Sequence, residues 1–245
     1  MKQKFSYKYY SEMIDKIINK GYIFAFFPEA ENLFSKETKF VLMRHDVDID
    51  ILGSLKIAEM DAEKNVKSTF FFLIRTDLYN VFSDTGSNII KEILNLGHEI
   101  GLHYDFSSYK KMNLNDTSKT CEKEVQVLED WFSHRISAIS FHKANDFVFK
   151  ENPKISHPIV NTHMPLFANK IKYFSDSRGY WRHGNPVESE HFRRGKPLHI
   201  LTHPIWWNEE DLMPQQKICL FMKRKSKILE HSIENKHKHI RIEKF

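Results

Sequence analysis

Asp46 and Asp48 stand two residues apart in Arg44-His45-Asp46-Val47-Asp48. Two ionised carboxylates that close repel unless a cation lies between them or one takes a proton. The pair therefore suggests a metal site in which one carboxylate is a ligand and the other is left to act as a base. The same residues, with Asp50 beside them, would also suit the acidic start of a helix, and on their own the two readings weigh evenly. A second cluster, Gly97-His98-Glu99-Ile100-Gly101-Leu102-His103, moves the balance toward metal. Its His103 offers an imidazole, the usual companion of carboxylate oxygen around zinc.

Both clusters must lie at strand ends to reach one point. Lys39 to Met43 ends in an apolar run that leads into Arg44, and Lys67 to Leu73 is apolar without alternation, as a strand covered on both faces should be. Helical spacing follows each strand signal, at Ile51, Leu55, Ala58 and Ala62, at Ile89, Ile90, Ile93 and Leu94, and at Cys121, Val125, Leu128 and Phe132. Further strands are signalled at Glu99 to Leu102, Ile136 to Phe141, Lys172 to Ser175 and Leu198 to Thr202. Strand and helix in alternation predict an α/β fold with parallel strands, in which ligands and catalytic groups gather at the strands' C-terminal ends. Between about 143 and 195 the regularity fails and prolines punctuate the chain, which predicts a lid or substrate-binding excursion. Pro214 can begin a last helix, and with no internal repeat or linker the 245 residues read as one domain.

These motifs resemble those of the NodB-like polysaccharide deacetylases. Their second motif has the form Gly-His-Glu-Ile-Gly-x-His-Thr-x-x-His, matched here up to His103, and their first is Thr-Phe-Asp-Asp-Gly or Asp-x-Asp, matched loosely at Asp46 and Asp48. The resemblance runs from Phe40 to about Trp207. It implies a distorted (β/α) barrel and a mononuclear divalent metal, zinc by default, with Asp46 as catalytic base and Asp48 and His103 as ligands. Leu198 to Pro204 is similar to the family's last strand, which would make His203 the general acid. Two departures stand out. The family's second ligand histidine falls at Ser107, so a third ligand must come from His142, Asp105 or His98. Lys143 stands where the family's arginine supports the catalytic aspartate, and a lysine cannot make a planar bidentate contact.

After the strand at Lys172 to Ser175, Asp176, Arg178 and Arg182 could meet a polar substrate, as could Lys143, with Trp181 as a stacking face for a sugar ring. The alternative is that Asp176 pairs within its loop and Trp181 plugs the barrel. Arg44, His45 and the Trp206-Trp207 pair flank these positions as support or packing.

The net charge of +5 resides in Lys223 to Phe245, where eight basic and three acidic residues leave the rest of the chain balanced at 29 against 29. A solvated helix face explains that better than a nucleic-acid surface, because no aromatic residues are interleaved for base stacking. Cys121 and Cys219 lie far apart on apolar helix positions and read as reduced core thiols. No signal peptide or membrane-length apolar run is present, which predicts a cytoplasmic protein without a membrane span. Taken together the expectation is a metal-dependent hydrolase of a C–N bond in a small carbohydrate or sugar-nucleotide. A catalytically silent glycan- or metabolite-binding protein on the same fold, or a cyclic amide or ureide hydrolase, is the alternative.

Overall fold

The strand signals converge on a single curled sheet. In a computed structural model, which describes residues 5–108, 114–142 and 158–237, eight parallel strands follow one another as β1 (Ile23–Phe24), β2 (Phe40–Val47), β3 (Ser68–Phe72), β4 (Glu99–Asp105), β5 (Ala138–His142), β6 (Val160–Asn161), β7 (Lys172–Ser175) and β8 (Leu198–Thr202). Their order is β6-β5-β4-β3-β2-β8-β7, with β1 beside the start of β2. The architecture is thus a distorted, incompletely closed (β/α) barrel. Its two end strands, β6 and β7, do not pair with one another among the described residues.

Four longer helices pack outside: α1 (Tyr7–Asn19), then α3 (Ile51–Glu63), α4 (Asp84–Asn95) and α5 (Leu114–Phe132), with the short α2 (Ala30–Ser35) between the first two. The opening segment, for which no element is predicted above, forms α1. Ser6 caps it, and Tyr10, Met13, Ile14 and Ile17 recur at helical spacing to bury one face. Asp50 caps α3 by accepting from Gly53 N, so the helix start needs neither Asp46 nor Asp48. The region 158–195 holds two short strands, a π-helical turn at Leu166–Lys170 and only brief helical turns, as its prolines dictate. Lys143 lies outside the described residues.

Every residue of β2, β3 and β8 is buried, as a sheet lined inside by side chains and covered outside by helices requires. Alternation along β2 then sorts its residues. Leu42, Arg44 and Asp46 face the barrel interior, while Met43, His45 and Val47 face the helices. His45 is held there by Thr202 Oγ1 at 2.7 Å and Asp61 Oδ2 at 3.0 Å, and Asp61 also accepts from the Tyr10 hydroxyl at 2.8 Å. This network ties β2 to β8, α3 and α1.

The helix Pro214–Lys236 begins at the proline and presents most of its lysines and arginines to solvent, although Lys217 is buried and donates to Phe5 O and Trp206 O. Cys121 is buried as expected, but Cys219 is exposed, so it is not the core thiol its apolar neighbours suggested; Lys217 is the buried residue of this helix. No described helix is long and apolar enough to cross a membrane.

Gly101 shows how tightly the interior is filled: a Cβ there would sit 2.5 Å from the Phe71 ring and 2.8 Å from Ala138 O. Gly101→Ala should therefore destabilise the protein by about 1–3 kcal/mol, seen as a lowered denaturant midpoint at unchanged slope.

Candidate metal and acid–base centre

Three strands deliver nitrogen and oxygen atoms to one point at their C-terminal ends. Asp48 follows β2, His103 lies within β4 and His142 closes β5, where the register sets His103 beside Ser140 and Asp105 beside His142. Asp48 Oδ1 is 3.0 Å from His103 Nε2 and 3.3 Å from His142 Nδ1, and the two ring nitrogens are 3.3 Å apart. Atoms bound at about 2.0–2.1 Å in a tetrahedron stand about 3.3–3.4 Å from one another, so these separations fit three corners around a zinc-sized ion. Asp48 Oδ1 is closed to solvent and neither imidazole meets it in hydrogen-bond geometry, which is the condition of an atom awaiting a cation. His103 Nδ1 lies 3.1 Å from Ser140 Oγ, a contact that turns its Nε2 to the shared point.

The candidates for a third ligand separate cleanly. His142 joins Asp48 and His103. Asp105 is taken up locally by Ser107, whose N and Oγ both donate to Asp105 Oδ1 at 2.8 Å. His98 sits at the other end of β4, bonded to Ser68 Oγ and Ala58 O. The neighbouring strand thus offers an imidazole where the second motif has Ser107.

Asp46 lies beside this point with Oδ2 at 3.5 Å from His103 Nε2. Arg44, two residues earlier on the same face of β2, grips it with Nε to Oδ1 and one terminal nitrogen to Oδ2, both at 2.7 Å. The guanidinium also donates to Ser140 Oγ and, at 3.1 Å, to Thr162 Oγ1. Burial acts to raise the Asp46 pKa, but Arg44 and His103 outweigh it and bring the carboxyl down to about 2. An arginine supporting Asp46 is therefore supplied from within the first motif. The sequence signal was an arginine at i−2 on the same strand face, read above only as support or packing.

His203 approaches from β8, with Nε2 3.7 Å from Asp48 Oδ2. Its Nδ1 is 2.6 Å from Asp176 Oδ1, and Asp176 also accepts from His203 N at 3.0 Å and from Trp207 Nε1 at 2.8 Å. Burial opposes protonation of His203, yet Asp176 dominates and, with Asp48 and Asp46, raises it to about 9.

Two of the expected substrate contacts are corrected by this geometry. Asp176 is fully buried with its oxygens committed to His203 and Trp207, so it backs the histidine instead of meeting a ligand. Trp181 is 3% exposed and packs on Phe5 and Trp207, with ring centroids 5.8 and 6.2 Å away. Arg178 and Arg182 are exposed, the latter with its guanidinium 5.8 Å from the Tyr180 ring centre.

No family model and no curated protein matches the sequence. Among solved structures, the chain is similar to a CE4 family pseudoenzyme from Bacillus anthracis, at 14% identity over 76% of this chain and 61% of that one, with a TM-score of 0.42. It is similar to the Streptococcus pyogenes deacetylase PplD at 12% identity, covering 87% and 85%, TM-score 0.47. It is also similar to a family 4 carbohydrate esterase from Bacillus anthracis at 12% identity, covering 87% and 85%, TM-score 0.43. The likeness is to family 4 carbohydrate esterases. Since this chain spans about three-fifths of the first of these, and similarity is this low, nothing about activity, substrate or site residues follows from it.

Two measurements address the centre without requiring turnover. Arg44→Met strands a buried carboxylate and should cost about 3–5 kcal/mol in unfolding free energy at neutral pH, whereas Arg44→Met with Asp46→Leu should recover most of the loss. Because His203 is raised from 6.5 to about 9, the metal-free protein should carry extra stability that is complete below pH 6.5 and is lost as pH rises through 9. His203→Gln should flatten that part of the stability–pH curve.

Proposed function

We propose that this protein is a metal-dependent hydrolase that removes an acetyl group from, or cleaves another C–N amide bond of, a small carbohydrate or sugar-nucleotide. The observation that carries the reading is the near-tetrahedral spacing of Asp48 Oδ1, His103 Nε2 and His142 Nδ1, with one buried carboxylate–arginine pair and one buried histidine–carboxylate pair beside it. Asp48, His103 and His142 would hold the ion, and zinc suits two imidazoles and one carboxylate. When bound, such an ion acidifies water and polarises an acyl oxygen.

The chain's own groups divide the proton work. Asp46 stays ionised at neutral pH, and Arg44 fixes its plane while each oxygen keeps a lone pair. It is the base that takes the proton from water as oxygen attacks the acyl carbon. His203 is protonated at neutral pH and gives its Nε2 proton to the departing nitrogen as the C–N bond breaks. Asp176 holds the Nδ1 side, so the donor proton is on the nitrogen that faces the centre. The presence of both pairs, complete and buried, favours an enzyme over a silent binding protein on this fold.

Zinc or cobalt should bind with one equivalent to the wild-type protein and be lost from Asp48→Ala and His103→Ala. Asp46→Asn and His203→Ala should retain metal yet lose about 10²–10⁴ in kcat on an N-acetylated sugar or sugar-nucleotide. Metal binding that survives Asp48→Ala, or full activity in Asp46→Asn, would sink the reading.

A further inference from the structure

A second polar cavity lies below the centre, near the end strands β6 and β7. It measures about 220 Å³ and is lined by Arg44, Thr162, His163, Tyr173 and His199, together with the buried Phe167 and the exposed Ala168 of the π-helical turn. That volume falls below the roughly 300–1,000 Å³ of pockets for drug-sized ligands and corresponds to about seven waters, room for a small organic anion.

Two buried groups there are incomplete. His199 is 1% exposed, and neither of its ring nitrogens has a hydrogen-bond partner, although Phe27 and Tyr173 touch the ring edge-on. A buried imidazole without a partner on either nitrogen needs explanation, since such groups are normally satisfied. Arg44 has five N–H donors, of which two go to Asp46, one to Ser140 and one to Thr162. The fifth, on the nitrogen that bonds Thr162, remains. The wall thus offers a guanidinium N–H, one N–H of His199 and the Thr162 hydroxyl as donors, with the second ring nitrogen of His199 as an acceptor. Burial, then Arg44 and His163, hold His199 well below the usual imidazole range, so its ring is neutral and keeps one N–H to give.

We propose that this cavity is a second binding site, for a small monocarboxylate of acetate size, seated between the fifth N–H of Arg44 and the ring of His199. A planar carboxylate supplies the two acceptor oxygens these donors lack, and its short apolar end fits against Phe167 and Ala168. Neither Asp48 nor His203 is among the residues that line it. The site stands on its own residues. Only the link to turnover, that acetyl hydrolysis would release such a molecule on the far side of Arg44, rests on the function proposed above.

The test is calorimetric titration of acetate into Asp48→Ala protein in carboxylate-free buffer, which removes metal-dependent binding, while the two variants below separate this cavity from the void that Asp48 leaves among His103, His142 and His203. Four heavy atoms allow a Kd no tighter than about 40 µM, and a value of about 0.1–10 mM at one equivalent is expected. In the same background, His199→Phe keeps an aromatic ring without nitrogens and Ala168→Leu narrows the cavity from an exposed position, so that a folding defect in one leaves the other informative. Each should weaken binding by about tenfold or more. Absence of saturable binding in the Asp48→Ala protein, or equal binding in both double variants, overturns the proposal. Failure of zinc to bind the wild-type chain would instead strike the proposed hydrolase and leave this titration unaffected.

Discussion

The buried pair of Arg44 and Asp46 is the constraint around which the interior is arranged. Both charges are almost wholly removed from water, and ions so placed are tolerated only when each lone pair and donor is satisfied. Arg44 comes close to that condition with four of its five N–H groups, two to Asp46, one to Ser140 on β5 and one to Thr162 just after β6, while Asp46 faces His103 on β4. One ion pair thereby links β2 to β4, β5 and the end of β6. Ser140 serves twice, since its hydroxyl contacts both the guanidinium and His103 Nδ1, and so relates the orientation of a candidate ligand to the position of the arginine.

His203 and Asp176 repeat the same logic with the charges reversed. There the carboxylate is the deeper group, satisfied by a backbone N–H, an indole and the imidazole. The two pairs push their titrating members apart, Asp46 down to about 2 and His203 up to about 9. Between those values the centre holds an ionised carboxylate and a protonated imidazole at once, the condition that acid and base roles require.

Much of this was legible from residue order. The apolar runs before Arg44 and at Ser68 to Phe72, with the helical spacing after each, made the strand–helix alternation readable because local patterning and burial agree there. The positions of Asp46, Asp48, His103 and His203 at or near strand ends were equally readable. What was not readable depends on which strands become neighbours. His142 could be nominated but not chosen over Asp105 or His98 until β4 and β5 paired in register. Asp176 was placed at a substrate face because nothing in its loop reveals that β7 lies beside β8, which sets His203 against it. Helix α1 was passed over because its charged outer positions mask the four buried ones.

The alternation along β2 has a wider meaning. Odd positions such as His45 anchor the strand to the helices, and even positions such as Arg44 and Asp46 furnish the centre. Chemistry and architecture are thus interleaved on one backbone at single-residue pitch. Inserting or deleting one residue there would exchange the two sets, turning the ion pair toward the apolar helices and the anchor toward the cavity. Evolution of this segment is therefore confined to substitution.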